Sequence, residues 1–280
     1  MSCGTTSLDE APCDVGEGPH WDAVARRWSW VDNVAGRIHT RIGGDLAVID
    51  PGVRVAAAVP KRADGWLLAA WDGLYDFDGK VAMARPGPGL SDTRFNDGKC
   101  DARGRLWVGT MSLTGETGRG ALYRVAEAVT PVAEGFDVCN GLGFSPDDRW
   151  LYLVDTVPRI VYRYAFDLAA GRLGAREIFF QFPPGMGKPD GLAIDAQGDI
   201  WCAMWDGACL ARLKPAGTLA ETISLPLPRP TSLAFGDGEM LVTTARKGLN
   251  DDQLRDFPLS GRPLWRPSPV AGAPLHAFAF

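Results

Sequence analysis

One short grammar recurs six times along the chain: an apolar run, a polar turn with Gly or Asp, and a second apolar run rich in Trp, Leu and Val. GEGPHWDAVARRWSWVDN begins at Gly16, RFNDGKCDARGRLWVGTM at Arg94 and NGLGFSPDDRWLYLVDT at Asn140. DGLAIDAQGDIWCAMWDG begins at Asp190, TSLAFGDGEMLVTTAR at Thr231, and a degenerate copy, VAAAVPKRADGWLLAAWDG, at Val55. Aligning the turns puts Glu17, Val55, Asn96, Asn140, Asp190 and Thr231 at one repeat position, with separations of 38, 41, 44, 50 and 41 residues. Six strand-dominated repeats of this length predict an all-β chain folded as a six-bladed β-propeller, one four-stranded sheet per blade. Helical solenoids share the period but need a 3.6-residue apolar pattern, which these segments lack. Only DDQLRDF, from Asp251, reads as a helical turn. No linker or composition shift divides the chain, so residues 1–280 read as one domain. Rings of this kind commonly close by a strand from one terminus completing the blade begun by the other; residues 5–8 and 276–280 are the candidates.

Composition removes several classes of function. A net charge of -5 gives no basic stripe for nucleic acid. No apolar run approaches the roughly 18 residues of a membrane span, so no membrane partner is expected. The opening MSCGTTSLDEAPCDVGEG has neither a basic nor an apolar leader region, which points to a cytoplasmic protein. Cys3, Cys13, Cys100, Cys139, Cys202 and Cys209 form no CxxC pair and read as free buried thiols. His20, His39 and His276 have no metal-clamp spacing.

In a propeller the first strand of each blade lines the central channel, so equivalent positions converge near its axis. Glu17, Asn96, Asn140 and Asp190 then form a ring of carboxylates and amides at one mouth. Buried carboxylates repel one another unless a cation compensates, and oxygen-only donors suit a hard or borderline divalent ion. The competing reading is that Asn and Asp before a strand are common turn residues. Fifteen residues on, the second strand returns to the same mouth with Asp32, Met111, Asp155, Trp205 and Arg246, a mixed polar and aromatic set suited to a small polar ligand. Asp32 and Asp155 read equally well as strand-end residues bonded to neighbouring backbone. Trp205 reads as a face for a sugar ring or as packing between blades.

GEGPHWD at Gly16, RFNDGK at Arg94, NGLGFSPD at Asn140, PDGLAIDAQGDIWCAMWDG at Pro189 and TTARKGL at Thr243 together resemble the SMP-30/gluconolactonase family, from about Val15 to the C-terminus. The resemblance implies a six-bladed propeller with one divalent metal ion at the channel mouth, held by Glu17, Asn140 and Asp190. Family members function with different ions, so Ca²⁺, Zn²⁺, Mn²⁺, Mg²⁺ and Fe²⁺ all stay open. Arg94 and Asn96 match the family's substrate-contacting Arg-x-Asn, and Glu116, in the short loop SLTGETGRG, matches a substrate-binding Glu. That loop, with TTARKGL and the C-terminal sequence, looks more like bacterial pentonolactonases than regucalcin.

The expected activity is metal-dependent hydrolysis of a sugar lactone to its aldonic acid, pentonolactones ahead of hexonolactones. Asp190 is the candidate general base. Arg94 and Asn96 would hold sugar hydroxyls and stabilise oxyanion charge. Arg94 reads as the one convincing cation in the mouth, which disfavours a phosphorylated lactone; the alternative is that it pairs with Asp92 or Asp97 on the surface. Three other readings stand beside the lactonase: a non-catalytic metal-binding regulator, a protein-binding scaffold, and a phosphotriesterase-like propeller hydrolase.

Overall fold

Burial falls steeply from the inner strand of a sheet to its outer edge. In the second repeat every residue of Val55–Pro60 is buried, whereas Asp45–Ile49, at the outer edge of the first, is mostly exposed. The computed structural model describes residues 11–63, 65–77 and 92–280, with the backbone of 81–83. Each repeat forms one antiparallel sheet. Among the described residues five are four-stranded and the sixth has three strands, Pro230–Gly236, Glu239–Thr244 and Leu264–Pro267. The inner strands Gly16–Asp22, Val55–Pro60, Thr93–Cys100, Cys139–Phe144, Lys188–Ile194 and Pro230–Gly236 each pack on the next, and the last packs on the first. That circular order makes the sheets six blades of a propeller. The helical turn at Asp251–Asp256 carries a full capping box between Asn250 and Gln253.

Aromatic side chains fill the wedges between blades. Trp28 and Trp30 of blade one meet Trp265 of blade six edge-on, at 5.4 and 6.0 Å between ring centres. Trp201 of blade five meets Phe235 of blade six at 5.6 Å. Such pairs add to the apolar area removed from water. The turn between the first two strands has its own recurring chemistry. Asp101 accepts from the backbone N–H groups of Arg103 and Arg105 and from Trp107 Nε1. Asp195 accepts from the N–H groups of Gln197 and Asp199 and from Trp201 Nε1. The pattern D-A-x-G-x-x-W thus ties the turn to the buried Trp of the next strand.

The C-terminal segment differs from the sequence expectation for closure. An isolated bridge, Val15 with Ala245, joins the start of blade one to the end of the second strand of blade six. Residues 5–8 lie outside the described residues. The last residues complete no blade: the chain from Gly272 to Phe278 bridges Asp195, Cys100 and Lys61 in turn, at the first hairpins of blades five, three and two. This strap crosses the far mouth of the channel, with a cavity of about 110 Å³ beneath it. It forms there because the backbone N–H groups of Ala273, Phe278 and Ala279 find carbonyls on those hairpins. Cys13, Cys100, Cys139, Cys202 and Cys209 are buried and in no disulfide among the described residues; Cys3 lies outside them. Among the described residues no helix is long and apolar enough to cross a membrane.

Candidate metal and substrate site

Every inner strand has an irregular register just where the repeat position falls. The ladder slips between Glu17 and His20, Val55 and Ala57, Cys139 and Leu142, Pro189 and Leu192, and Pro230 and Ser232. In blade three it slips opposite Val108–Thr110, leaving Asn96 and Asp97 without ladder partners. A bulge frees a residue from the pleat and re-aims its side chain. Asn96, Asn140 and Asp190 all sit in such bulges, and Glu17 at the edge of one.

The glycines that follow let neighbouring blades come close. A Cβ at Gly141 would lie 2.3 Å from Leu192 N and 2.6 Å from Asp190 O, and one at Gly191 would lie 2.1 Å from Ser232 Oγ. The pairs Asn140-Gly141 and Asp190-Gly191 therefore each combine a bulged polar side chain with a contact that tolerates no larger residue. Asn140 Nδ2 consequently reaches Asp190 Oδ1 across the blade boundary, and donates to Thr156 Oγ1 at 3.1 Å.

Glu17, Arg94, Asn96, Asn140 and Asp190 line one depression of about 470 Å³ at the open mouth, within the size range of small-molecule sites. Arg94 is held firmly. Its Nη1 donates to Phe95 O at 2.9 Å and to Asn96 Oδ1 at 3.1 Å, and its guanidinium lies 4.9 Å from the centre of the Trp71 ring. Asn96 Nδ2 donates to Cys139 O at 3.3 Å. Asp92 pairs with Arg119, so Arg94 does not take it as a surface partner.

The two ring carboxylates are held far from their ordinary ionisation. Burial raises Glu17 well above the usual carboxylate range, and Asp190 and Asp97 raise it further. Burial likewise pushes Asp190 up to about 8, against the opposing hydrogen bond from Asn140. Arg94 is itself lowered to about 10 by burial, with Glu17 and Asp190 pulling the other way. Glu17 Oε2 is buried with no hydrogen-bond partner. Two unneutralised carboxylates, one orphaned oxygen and adjacent amides form a donor set that a divalent cation fits. The set depends on amides: among the described residues no group of three or more His, Cys, Asp or Glu side chains is placed to hold an ion.

The remaining sequence candidates divide. Met111 and Trp205 line the depression. Asp32 accepts from the backbone N–H groups of Asp14, Val34 and Ala35, and Asp155 from those of Asp137 and Val138, so both serve as strand-end clamps. Thr231 Oγ1 donates to Gly16 O and Val55 is fully buried, so blades two and six give the ring structure rather than donors. Glu116 is not brought into the depression; its exposed carboxylate lies 3.7 Å from Arg119 Nε. Arg246 gives way to its neighbours Lys247 and Gly248. Sequence reasoning missed Asn33, Thr156 and Lys247, one residue past the second-ring positions, together with Lys188 and Arg229. It also missed Trp71, which stacks on Arg94 and donates through Nε1 to Asn33 Oδ1 at 3.0 Å. A second +16 register would have found four of these. Arg94 is therefore not the one cation of the mouth, and a phosphorylated lactone is not disfavoured on that ground.

Known proteins resemble this chain over most of its length. The chain is 35% identical to a 6-deoxy-6-sulfogluconolactonase of Pseudomonas putida over 263 residues, covering 89% of this chain and 90% of that one. It is 37% identical to the pentonolactonase XacC of Haloferax volcanii over 254 residues, 86% and 84% of the two chains. The crystal structure of a calcium-binding protein, regucalcin, from Agrobacterium tumefaciens superposes with a TM-score of 0.88 at 29% identity, covering 99% of this chain and 97% of that one. Residues 15–246 match the family model for the SMP-30/gluconolactonase/LRE-like region, and the chain belongs to that family.

Proposed function

We propose that the chain is a metal-dependent hydrolase that opens a sugar lactone to its aldonic acid, at the mouth lined by Glu17, Asn140 and Asp190. The observation that carries this reading is the pair of buried carboxylates with one orphaned oxygen, facing a depression that also holds a fixed Arg and Asn. Glu17, Asn140 and Asp190 would hold the ion. When bound, a divalent ion supplies Lewis acidity and lowers the pKa of water.

The chain's own groups do the rest. Asp190 Oδ1 accepts from Asn140, and the same carboxylate, which would also help hold the ion, is placed to take a proton from the attacking water and return it to the ring oxygen that leaves when the acyl C–O bond breaks. Arg94, already turned by Asn96 and Trp71, presents donors to the ring hydroxyls and to the oxygen on which charge develops. Trp205 offers its face at the rim, and the depression is open enough for a monosaccharide ring to enter. Lactonase names among the relatives support the reaction class. Within it we place pentonolactones ahead of hexonolactones, on the likeness to XacC and the short loop after Met111. The ion itself is one of Ca²⁺, Zn²⁺, Mn²⁺, Mg²⁺ or Fe²⁺.

A screen of pentono- and hexonolactones with each ion added after chelation tests the proposal. Ion-dependent ring opening is expected, fastest on a pentonolactone. Ion binding without turnover of any lactone would favour the regulator reading, and preference for an organophosphate would favour a phosphotriesterase. Absence of tight ion binding would leave the protein-binding scaffold.

A further inference from the structure

Four cations border the depression, but only Arg94 is prominent among the charges acting on Glu17 and Asp190. Lys188, Arg229 and Lys247 sit on blades five and six, and blade six lies across the ring from the Arg94 blade. Arg229 is fixed: Nε donates to Asp206 Oδ1 at 2.6 Å, Nη1 donates to Lys247 O, and the guanidinium lies 5.0 Å from the centre of the Trp205 ring. Its side chain is only 17% exposed, while Lys188 and Lys247 are exposed and have no carboxylate partner among the described residues. Asp206 offsets Arg229, and a divalent ion would offset Glu17 and Asp190. The two lysines then remain as surplus positive charge on one side of the pocket.

Resting on the lactonase reading, we propose that this arc is a subsite for a terminal oxyanion group, a carboxylate or a phosphate, on the substrate's carbon chain away from the lactone carbonyl. The charge separation argues for it. The carbonyl end belongs beside Arg94 and the ion that Glu17 and Asp190 would hold, and the carbonyl oxygen engages that charge rather than a terminal anion. Across the pocket the same anion meets two free ammonium groups and an anchored guanidinium. Trp205, stacked on Arg229 and in register with Lys188, puts apolar surface for the carbon chain beside the same arc.

The test compares kcat/KM for three lactones with the ion supplied: a neutral aldonolactone, its analogue with a terminal carboxylate, and one with a terminal phosphate. Wild type and a Lys188→Ala/Lys247→Ala double variant are assayed at ~20 and ~200 mM salt. An anionic lactone should outperform the neutral one at low salt and lose that advantage at high salt, and the double variant should cut the anionic-to-neutral ratio by roughly tenfold. Whichever of carboxylate and phosphate shows the larger ratio identifies the group. A neutral lactone that is turned over, with an anionic-to-neutral ratio the double variant leaves unchanged, overturns the subsite while the lactonase reading stands. If no lactone is turned over, the lactonase reading falls. Calorimetry with the open-chain sugar diacid then decides the subsite alone: binding that the double variant abolishes supports it, and no binding to wild type overturns it.

Discussion

The two mouths of the channel treat buried carboxylates in opposite ways. At the strapped mouth Asp101 and Asp195 are fully buried, and each is surrounded by donors: two backbone N–H groups and an indole, with Arg105 Nε at 2.7 Å from Asp101 as well. At the open mouth Glu17 and Asp190 are also buried, yet one Glu17 oxygen has no donor and both groups are raised by burial. The same residue class therefore does two jobs. A carboxylate satisfied by its own chain holds a turn together, and one left short of donors costs stability until something else supplies charge. The missing donors mark the site.

The largest effect should come from Asp190→Asn. It removes a negative ligand and the candidate base while keeping the shape, so activity should fall by ~10³-fold or more. Elemental analysis should find the ion lost. Measured in chelator at pH 8, this variant should be at least as stable as wild type, because a neutral amide does not carry the burial cost of a carboxylate. A large loss of stability would mean that Asp190 is a structural residue like Asp101.

Asp101→Ala tests the other half. It strands the Arg105 guanidinium, only 9% exposed, and removes the acceptor for Trp107 Nε1. Breaking a buried pair in this way costs about 3–5 kcal/mol, readable by urea unfolding. Ion binding per folded molecule should not change. Lost ion binding by a protein that remains folded would show that the two mouths are coupled and the contrast is too sharp.

Arg94→Ala separates binding from ligation. Arg94 touches Asn96 and Trp71, and its cation would be repelled by a bound ion, so the variant should keep the ion. Losing a charge-assisted hydrogen bond of roughly 1.5–3 kcal/mol corresponds to about a 10- to 150-fold fall in kcat/KM. Steady-state kinetics at saturating ion would expose a structural loop by giving near wild-type values.

The site should also make the ion-free protein sensitive to pH. Glu17 and Asp190 have raised folded pKa values, so between the unfolded value near 4 and the folded value, about 8 for Asp190, the folded state binds more protons than the unfolded chain. Stability from these groups is fully present at low pH and is lost as pH rises through that window. His20, lowered to about 4 by burial, acts in the opposite sense but only below its unfolded value near 6.5. From pH 7 to 8 the carboxylates should therefore dominate, at up to roughly 1.4 kcal/mol per pH unit for each proton. Urea melts in chelator should show the fall and added divalent ion should remove it. A flat profile would mean that the carboxylates are already neutralised by protein groups.

Much of this contrast was legible in the sequence, for a definite reason. Each first hairpin repeats an apolar run, a turn with Gly or Asp and a second apolar run, with the full Asp, Gly and Trp pattern in blades three and five; that exposed the register and hence Glu17, Asn96, Asn140 and Asp190. The bulges were not legible, since an extra residue in a ladder leaves no mark until the partner strand is known. Trp71 and Lys247 escaped because they lie one residue past the second-ring register, Lys188 because it precedes the ring position of its strand, and Arg229 because it is fixed by Asp206 and Trp205 of the neighbouring blade. The strap escaped for a related reason: its pairing is to hairpin backbone, which carries no side-chain pattern.

Glu116 gives the smallest and most pointed test of what the resemblance alone implied. Family likeness placed it on the substrate, whereas its carboxylate stands exposed, 3.7 Å from Arg119 Nε, and Arg119 also holds Asp92 at 2.5 Å. An exposed ion pair of this kind is usually worth less than about 1 kcal/mol, and here Arg119 keeps its second partner when Glu116 is removed. Glu116→Ala should therefore shift stability by less than about 0.5 kcal/mol and leave kcat/KM near wild type. The informative measurement is KM for the preferred lactone. If it rises several-fold with kcat unchanged, the loop must fold over the mouth when substrate binds and deliver Glu116 to a hydroxyl, adding uniform binding to both ground and transition states. Unchanged KM would assign the specificity of the open mouth to the residues already gathered there.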